Sequence, residues 1–321
     1  MKVLVVGHIH QDGINLLKAR ADITVEITEA HNESELVKLV HDFDALLVRS
    51  ALITSTIIEA APLLKVVSRH GVGFNSVDVQ ALTARRIPLT IAVGGNAVSV
   101  AEHTLYLILA LAKQSQRYDT AARQGDFNFR NAPIAREIDK SELLVIGFGR
   151  IGTQVTHRAL AFGMSVHVYD PYLPDGVIEN HAAHVVRNLH DALPQMDIVS
   201  VHCPLNEETK DLIGSTELSL MKPSALLINT ARGGIVNEAA LHSALRDGEI
   251  AGAGIDVFVT EPTNPSLKLL ELENVVVSPH CAGVTVESSA RTARIAAQNT
   301  LNGLDSTLDR AFVVNREVLQ Q

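Results

Sequence analysis

Short apolar runs alternate along this chain with segments whose apolar residues recur at helical spacing. Before residue 95, the strand-like runs cover residues 3–6, 23–27, 45–48 and 66–68. The segments 12–19 and 33–40 between them carry apolar residues every three or four positions, the pattern of an amphipathic helix. Because strands that alternate with helices form a parallel sheet covered by helices, this part of the chain is predicted to be a complete α/β unit.

The alternation resumes at residue 143 and predicts a second sheet. Its strand-like runs cover residues 143–146, 165–169, 197–201, 225–229, 250–256 and 275–278. From about Glu287, apolar residues at helical spacing predict a helix that returns the chain to the first domain. The predicted fold class is therefore α/β, with two Rossmann-like or flavodoxin-like domains. Residues 1–95 plus 287–321 form the predicted substrate-binding domain, into which a nucleotide-binding domain, 96–286, is inserted.

A strongly apolar segment, residues 98–112, follows the predicted joint near Gly95. Glu102 and His103 interrupt it and it is shorter than a membrane span, so a buried helix is predicted. Ser99 lies three residues before Glu102, which is the spacing of a capping box at a helix start. Residues 124–139 are polar and irregular, as expected of a surface loop or of an arm that reaches a partner subunit.

Composition narrows the class of protein. A chain of 321 residues exceeds the usual size of one core, so two domains are expected. The net charge of -9, with no run of Lys and Arg, argues against a nucleic-acid surface. Two cysteines suit a reducing compartment, and the first apolar run is too short for a signal peptide. We therefore expect a cytoplasmic enzyme with no membrane partner.

A glycine-rich turn follows the strand at 143–146 and reads Gly147-Phe148-Gly149-Arg150-Ile151-Gly152. Strand, glycine turn, helix, strand and acid follow in the order of the dinucleotide-binding fingerprint. Its three glycines allow a tight turn, approach of backbone amides to a pyrophosphate, and close helix packing. Asp170, 18 residues past Gly152, can accept hydrogen bonds from ribose hydroxyls and would repel a 2′-phosphate. The fingerprint predicts NAD as the cofactor.

Three residues just past predicted strands suit hydride transfer next to a carboxylate. The planar guanidinium group of Arg232 can hold a substrate carboxylate and polarise the neighbouring carbonyl. His280 titrates in the range needed to give or take a hydroxyl proton. Glu261 can pair with His280 and favour its protonated form. Together they predict catalysis at the carboxyl edge of the sheet.

Two His-Cys pairs, at 202–203 and at 280–281, raise the alternative of a metal site. Neighbouring residues on a strand face opposite sides, so each pair can easily offer only one ligand. No matching third and fourth ligands are evident. We therefore predict no metal, with Cys203 and Cys281 as small packing residues.

The chain resembles the D-isomer-specific 2-hydroxyacid dehydrogenases over nearly its full length, in the phosphoglycerate dehydrogenase-like branch. The stretches that carry the resemblance are 147–152, 199–205, 228–236, 253–262 and 278–283. The resemblance implies an Arg/Glu/His triad at Arg232, Glu261 and His280, and a homodimer formed through the nucleotide domains. One departure is Lys140-Ser141-Glu142 where the family usually has Gly-Lys-Thr. It alters the turn before the fingerprint strand and touches no predicted catalytic group.

The resemblance also assigns binding residues. Those expected at the cofactor are Gly147, Gly149, Arg150, Ile151, Gly152, Asp170, His202, Cys203, Pro204, Thr209, Thr230, Ala231, Asp256, Ala282 and Gly283. Those expected at the substrate are Arg49, Ser50, His70, Val72, Gly73, Asn96, Arg232 and His280. The amides of Val72 and Gly73 are expected to form a small anion nest for the substrate carboxylate. Arg49 is interpreted either as the group that binds a second anion or as an ordinary surface arginine.

The predicted reaction is hydride transfer between NAD and a D-2-hydroxy acid or its 2-keto acid. Arg49 and the loop 71–75 favour a substrate with a second anionic group, such as a phosphoglycerate-like or a sulfonated hydroxy acid. A glyoxylate or hydroxypyruvate reductase is the alternative. A formate-dehydrogenase-like activity fits less well, because it needs no proton transfer and those relatives carry glutamine where Glu261 stands. An NAD-sensing binding protein, like the family's transcriptional corepressors, stays open because those members keep the triad.

Overall fold

The computed structural model describes residues 1–319, and within them it contains twelve β-strands and twelve α-helices. The strands are β1 Lys2–Val6, β2 Thr24–Thr28, β3 Ala45–Val48, β4 Val66–Arg69, β5 Leu89–Ile91, β6 Glu142–Ile146, β7 Ser165–Tyr169, β8 His184–Val185, β9 Ile198–Val201, β10 Leu226–Asn229, β11 Gly252–Ile255 and β12 Val275–Val277. The helices are α1 Gln11–Lys18, α2 Glu33–Leu39, α3 Ser55–Glu59, α4 Val79–Ala84, α5 Ala97–Ala112, α6 Ser115–Arg123, α7 Arg150–Ala161, α8 Asp175–Glu179, α9 Leu189–Ala192, α10 Ser215–Leu220, α11 Glu238–Arg246 and α12 Val286–Leu304.

The first unit is built on a five-stranded parallel sheet in the order β2-β1-β3-β4-β5. Alternate residues of β1 enter two different apolar clusters, Leu4 in one and Val3 in the other, so helices cover both faces. Helix α12 packs against α1 so closely that a Cβ at Gly13 would lie 2.7 Å from the carbonyl oxygen of Ala293. This contact joins the end of the chain to the first sheet.

The second unit is built on a seven-stranded parallel sheet in the order β12-β11-β10-β9-β6-β7-β8. Its faces are also both buried, since Leu143 and Leu144 of β6 belong to different clusters. The strand order reverses between β6 and β9. In open parallel sheets, ligands bind at the carboxyl ends of the strands beside this reversal. The fold class predicted from the sequence, two α/β domains with parallel sheets, is confirmed.

The two units divide at 96/97 and 283/284, a few residues from the predicted boundaries. Asn96 and residues 284–286, assigned above to the nucleotide domain, lie in the first unit, and Gly283 ends the second. One reason is that Arg291 of α12 donates to the carbonyl of Gly95 at 3.1 Å. The other is that the Thr285 hydroxyl caps α12 and accepts from the amide of Ser288 at 3.1 Å.

Helix α5 is largely buried, in agreement with its apolar sequence. The predicted capping box is wrong, because the helix begins at Ala97 and Ser99 is its buried third residue. The Glu102 carboxylate instead approaches Arg158 of α7 at 3.5 Å. In the part of the chain that the structure describes, no helix has the length and apolar character required to span a membrane.

Candidate active site

The glycine turn between β6 and α7 is too crowded for side chains at its first and third glycines. Gly147 has a φ of +91°, and a Cβ there would lie 2.7 Å from the backbone N of Cys203. At Gly152, a Cβ would lie 2.2 Å from the carbonyl oxygen of Gly147. At Gly149, by contrast, a Cβ would meet open space. The turn therefore leaves a cradle beside Gly149 at the carboxyl end of β6.

The amino end of α7 faces this cradle without a side-chain cap. Gly149 is the N-cap residue and has no side chain to accept from the first-turn amides, while Arg150 and Ile151 are the first two residues of the helix. Uncapped amides at a helix amino end favour an anion, and a pyrophosphate is the anion that such a turn fits. The residues present therefore fit a dinucleotide.

Asp170 lies at the end of β7, and two backbone amides orient its carboxylate. Its Oδ2 accepts from the amide of Phe148 at 2.9 Å, and its Oδ1 accepts from the amide of Tyr172 at 3.1 Å. Each carboxylate oxygen has a second lone pair. Asp170 is thus fixed to the glycine turn and keeps acceptor capacity for ribose hydroxyls.

His202 and Cys203 follow β9 on the other side of the strand-order reversal. The Nε2 of His202 lies 2.8 Å from the Ser200 hydroxyl, while its Nδ1 is buried without a hydrogen-bond partner in the described chain. Burial lowers the pKa of His202 to about 3, so the ring is neutral. Burial raises the pKa of the Cys203 thiol to about 11, so the thiol is protonated at neutral pH. These properties agree with a packing role for Cys203.

The two threonines predicted at the cofactor have protein partners for their hydroxyls. Thr209 donates to the carbonyl of Pro204 at 2.6 Å and accepts from the amide of Asn206 at 2.8 Å, which closes the loop after β9. The buried Thr230 hydroxyl lies 3.0 Å from that of Thr104 on α5. The Thr209 hydroxyl therefore stabilises the loop after β9, and the Thr230 hydroxyl contacts α5.

Glu261 and His280 come together at the carboxyl ends of β11 and β12. The Nδ1 of His280 lies 2.6 Å from Oε2 of Glu261, whose Oε1 accepts from the amide of Phe258 at 2.9 Å. The side chains of His280 and Glu261 are 48% and 35% exposed, so reactants can reach them. Because Nδ1 contacts the carboxylate, Nε2 is the ring nitrogen left for a substrate proton.

Arg232 is held on a tight turn after β10. The Asn229 side chain accepts from the amide of Ala231 and donates to the carbonyl of Arg232, both at 3.0 Å. At Gly233, a Cβ would lie 2.0 Å from the carbonyl of Phe258, so the Arg232 turn packs directly against the segment that leads to Glu261. Burial lowers the pKa of the Arg232 guanidinium, and the nearby Glu261 carboxylate opposes that shift. The three predicted catalytic residues thus share one edge of one sheet.

Asp256 lies 1% exposed at the end of β11 and organises the turn after β12. Its carboxylate accepts from the amides of Cys281 and Ala282, each at 2.9 Å, and from the Ser278 hydroxyl at 2.5 Å. Potential metal-ligating atoms of Asp256, Cys281 and His103 lie within 4.8 Å of one another. Hydrogen bonds already satisfy the carboxylate, so the geometry indicates a structural anchor.

Arg49 and His70 lie at the carboxyl ends of β3 and β4 in the first unit. The amide of His70 donates to the carbonyl of Val48 at 2.8 Å, and a guanidinium nitrogen of Arg49 donates to the carbonyl of His8 at 2.8 Å. Burial, together with the charges of Arg49 and the neighbouring Arg69, lowers the pKa of His70 to about 4. Within residues 1–319, no carboxylate forms a salt bridge with Arg49. Arg49 and Arg69 therefore place two positive charges beside His70.

The other predicted substrate residues of the first unit present polar groups without protein partners. Across the described residues, the amides of Val72 and Gly73 donate to no other group, and the side chain of Asn96 forms no hydrogen bond. Ser50 is exposed directly after Arg49. Two adjacent amides without a partner can both donate to one anion.

Comparison with known proteins gives consistent matches. A family model described as "D-isomer specific 2-hydroxyacid dehydrogenase, NAD binding domain" matches residues 105–282, more than half of the chain. D-3-phosphoglycerate dehydrogenase from Methanocaldococcus jannaschii is 37% identical over 93% of this chain and 56% of its own length. The chain therefore spans little more than half the length of this curated relative.

Solved structures match the whole chain. The TT0316 protein from Thermus thermophilus has a TM-score of 0.87 and 33% identity, covering 98% of this chain and 100% of its own. D-lactate dehydrogenase from Aquifex aeolicus, complexed with NAD and lactic acid, has a TM-score of 0.87 and 29% identity, covering 98% and 99%. The chain belongs to the D-isomer-specific 2-hydroxyacid dehydrogenase family, and its second unit is the NAD-binding domain of that family.

Proposed function

We propose that this protein is an NAD-dependent dehydrogenase that interconverts a D-2-hydroxy acid and its 2-keto acid. The observation that carries the proposal is the 2.6 Å contact between His280 and Glu261, on the same sheet edge as Arg232. The sheet also bears the dinucleotide turn. Family membership and the names of the relatives support the same reaction class.

In the proposed mechanism, Arg232 binds the substrate carboxylate through its planar fork and polarises the C2 oxygen. His280 removes the hydroxyl proton through Nε2 during oxidation, and returns it during reduction. Glu261 orients the ring through Nδ1 and stabilises the imidazolium that forms. NAD supplies the hydride acceptor when bound. The Gly147–Gly152 turn is proposed to hold its pyrophosphate and Asp170 its ribose.

A screen of 2-keto acids for NADH consumption tests this proposal and separates it from the alternatives. A dehydrogenase consumes NADH with at least one acid of the panel, whereas a corepressor-like protein binds NADH and consumes none. A formate-dehydrogenase-like enzyme would instead reduce NAD with formate. The pairing of Glu261 with His280 favours the dehydrogenase. Glu261 can stabilise a histidine that carries a proton, and the dehydrogenase reaction requires such a histidine.

For the substrate, we propose a 2-hydroxy acid with a second anionic group, of the phosphoglycerate type. Arg49 and Arg69 supply positive charge in the first unit, which a phosphate would complement, while the Val72 and Gly73 amides can donate to the substrate carboxylate. The activity named for the Methanocaldococcus relative, D-3-phosphoglycerate dehydrogenase, supports the same substrate class. With the carboxylate held by Arg232, glyoxylate or hydroxypyruvate would have no second anionic group to pair with this charge.

Replacing Arg49 with alanine should lower kcat/KM for 3-phosphohydroxypyruvate by about 10- to 100-fold, the usual loss of a charge-assisted hydrogen bond. Hydroxypyruvate, which lacks the phosphate, should lose less than about threefold, since Arg49 would contact only the phosphate. Arg310→Ala, an exposed arginine of the same unit, is the matched control and should change neither value. Equal losses on both acids, or a wild type that prefers hydroxypyruvate, would favour the reductase.

We further propose that the second unit forms a homodimer. Val98 and Tyr106 lie eight residues apart on one side of α5 and are 37% and 54% exposed, and Phe127 in the following segment is 73% exposed. Large apolar side chains with this exposure are typical of subunit interfaces.

Light scattering should give twice the 34.6 kDa mass of the chain for the wild type. Val98→Asp should shift it towards the monomer mass, because a buried interface would desolvate the new carboxylate. Val177→Asp is the control, since Val177 is also a helical valine, 41% exposed. A monomeric wild type, or a Val98→Asp variant that stays dimeric, would contradict this interface.

A further inference from the structure

We propose that His103 is a positioning residue for His280, and that it acts through Ser278 and Asp256. His103 is the histidine that interrupts the apolar sequence of α5, and the mechanism above gives it no role. Its side chain is 19% exposed. The inference rests on the proposed function, because it concerns the position of His280, the proposed acid-base residue.

A chain of hydrogen bonds runs from His103 to Asp256. The Nε2 of His103 lies 2.8 Å from the Ser278 hydroxyl, which donates to Oδ1 of Asp256 at 2.5 Å. A hydroxyl has one proton to donate, so His103 must be the donor in the first bond. Burial lowers the pKa of His103, although Asp256 opposes the shift, so the ring is a neutral donor protonated on Nε2.

Asp256 in turn fixes the backbone that carries His280. Its main-chain carbonyl accepts from the amide of His280 at 2.8 Å, and its carboxylate accepts from the amides of Cys281 and Ala282 at 2.9 Å each. His280 has a φ of +51°, in the left-handed region that residues with a side chain avoid. The turn therefore depends on these bonds, and it directs His280 towards Glu261.

His103 supports the hydrogen bonding around Asp256 by donating to the Ser278 hydroxyl. Asp256 is buried, and the Ser278 hydroxyl is the side-chain donor that supplements the two amides of the turn. If His103 no longer donates, Ser278 is free to rotate away from the carboxylate. The effect then reaches His280 through a looser turn, since no hydrogen bond joins His103 to His280 in the described chain.

The test compares His103→Leu, which removes the donor, with His103→Gln, which places an amide donor at a similar reach. Ser278→Ala and the His103→Leu/Ser278→Ala double variant complete the set, and thermal melting checks that each variant folds. Two quantities are measured: steady-state kcat and KM, and hydrogen–deuterium exchange of the amides of residues 280–282 in the protein without cofactor. The exchange measurement does not depend on activity.

We expect His103→Leu to lower kcat by about tenfold and to speed amide exchange at 280–282 by a similar factor, the worth of one hydrogen bond. KM for NADH should change by less than the loss in kcat, because the Gly147–Gly152 turn is untouched and only the predicted cofactor contacts beside His280 are loosened. His103→Gln should recover most of both effects. The losses in the double variant should be no larger than those in the more impaired single variant, since both substitutions break the same series of hydrogen bonds.

Unchanged exchange at 280–282 in His103→Leu would overturn the inference, as would losses that multiply in the double variant. A wild type inactive on every 2-keto acid would refute the proposed function instead. The exchange rates would then still decide whether His103 holds the turn.

Discussion

His280→Ala is expected to lower turnover of the 2-keto acid by about 10²-fold or more, while NADH still binds. The loss follows from the geometry: Nε2 is the free ring nitrogen, and Glu261 holds the other at 2.6 Å. The other histidine near a carboxylate at this sheet edge is His103, which lies 3.9 Å from Asp256 and is only 19% exposed. The glycine turn and Asp170 lie on other strands, so the affinity for NADH should stay within about threefold.

The matched control is His190→Ala. His190 also pairs with a carboxylate, since its Nε2 lies 2.8 Å from Oε1 of Glu217 in the same unit, but it lies outside the proposed site. Turnover should be unchanged in this variant. The measurement is single-turnover oxidation of bound NADH, with fluorescence titration for its affinity. Turnover of His280→Ala within about threefold of wild type would remove His280 from the mechanism.

Arg232→Lys is expected to lower kcat/KM for the 2-keto acid by about 10²-fold, although the positive charge is kept. Lysine lacks the planar fork that holds a carboxylate and a carbonyl together, so both binding and polarisation weaken. Asn229 and the close packing at Gly233 fix the backbone of the turn, so the new side chain cannot move to compensate.

Arg246→Lys is the control for this second variant. Arg246 pairs with Asp247 on the surface of the same unit, and its replacement should be silent. Initial rates across a range of acid concentrations separate KM from kcat, and NADH affinity should be equal in both variants. An Arg232→Lys enzyme with normal kcat/KM would show that another group holds the carboxylate.

The two sheets could be predicted from the sequence because most of their strands are continuous apolar runs that both faces bury. Shorter elements were missed: β5 has three residues and β8 two, so neither gives a periodic signal. The start of α5 was also misplaced, because Ser99 and Glu102 have capping-box spacing but lie inside the helix. The local sequence pattern predicted that this segment is a helix, whereas tertiary packing determined the residue at which the helix begins.

The proposed catalytic residues could be found because each follows a strand directly, and parallel strands bring their carboxyl ends to one edge. The residues that support them could not be found from the sequence. His103 and Ser278 are 175 positions apart, and only the packing of α5 against the sheet brings them into contact.

Transfer of a labelled hydride tests the central claim most directly. The protein is incubated with NADH that carries deuterium on the transferring face of C4, together with 3-phosphohydroxypyruvate, and the product is analysed by mass and chirality. The account predicts one deuterium at C2 of the D-2-hydroxy acid, and no labelled product within the same time from His280→Ala. Product of the L configuration, unlabelled product, or no product from any 2-keto acid would contradict it.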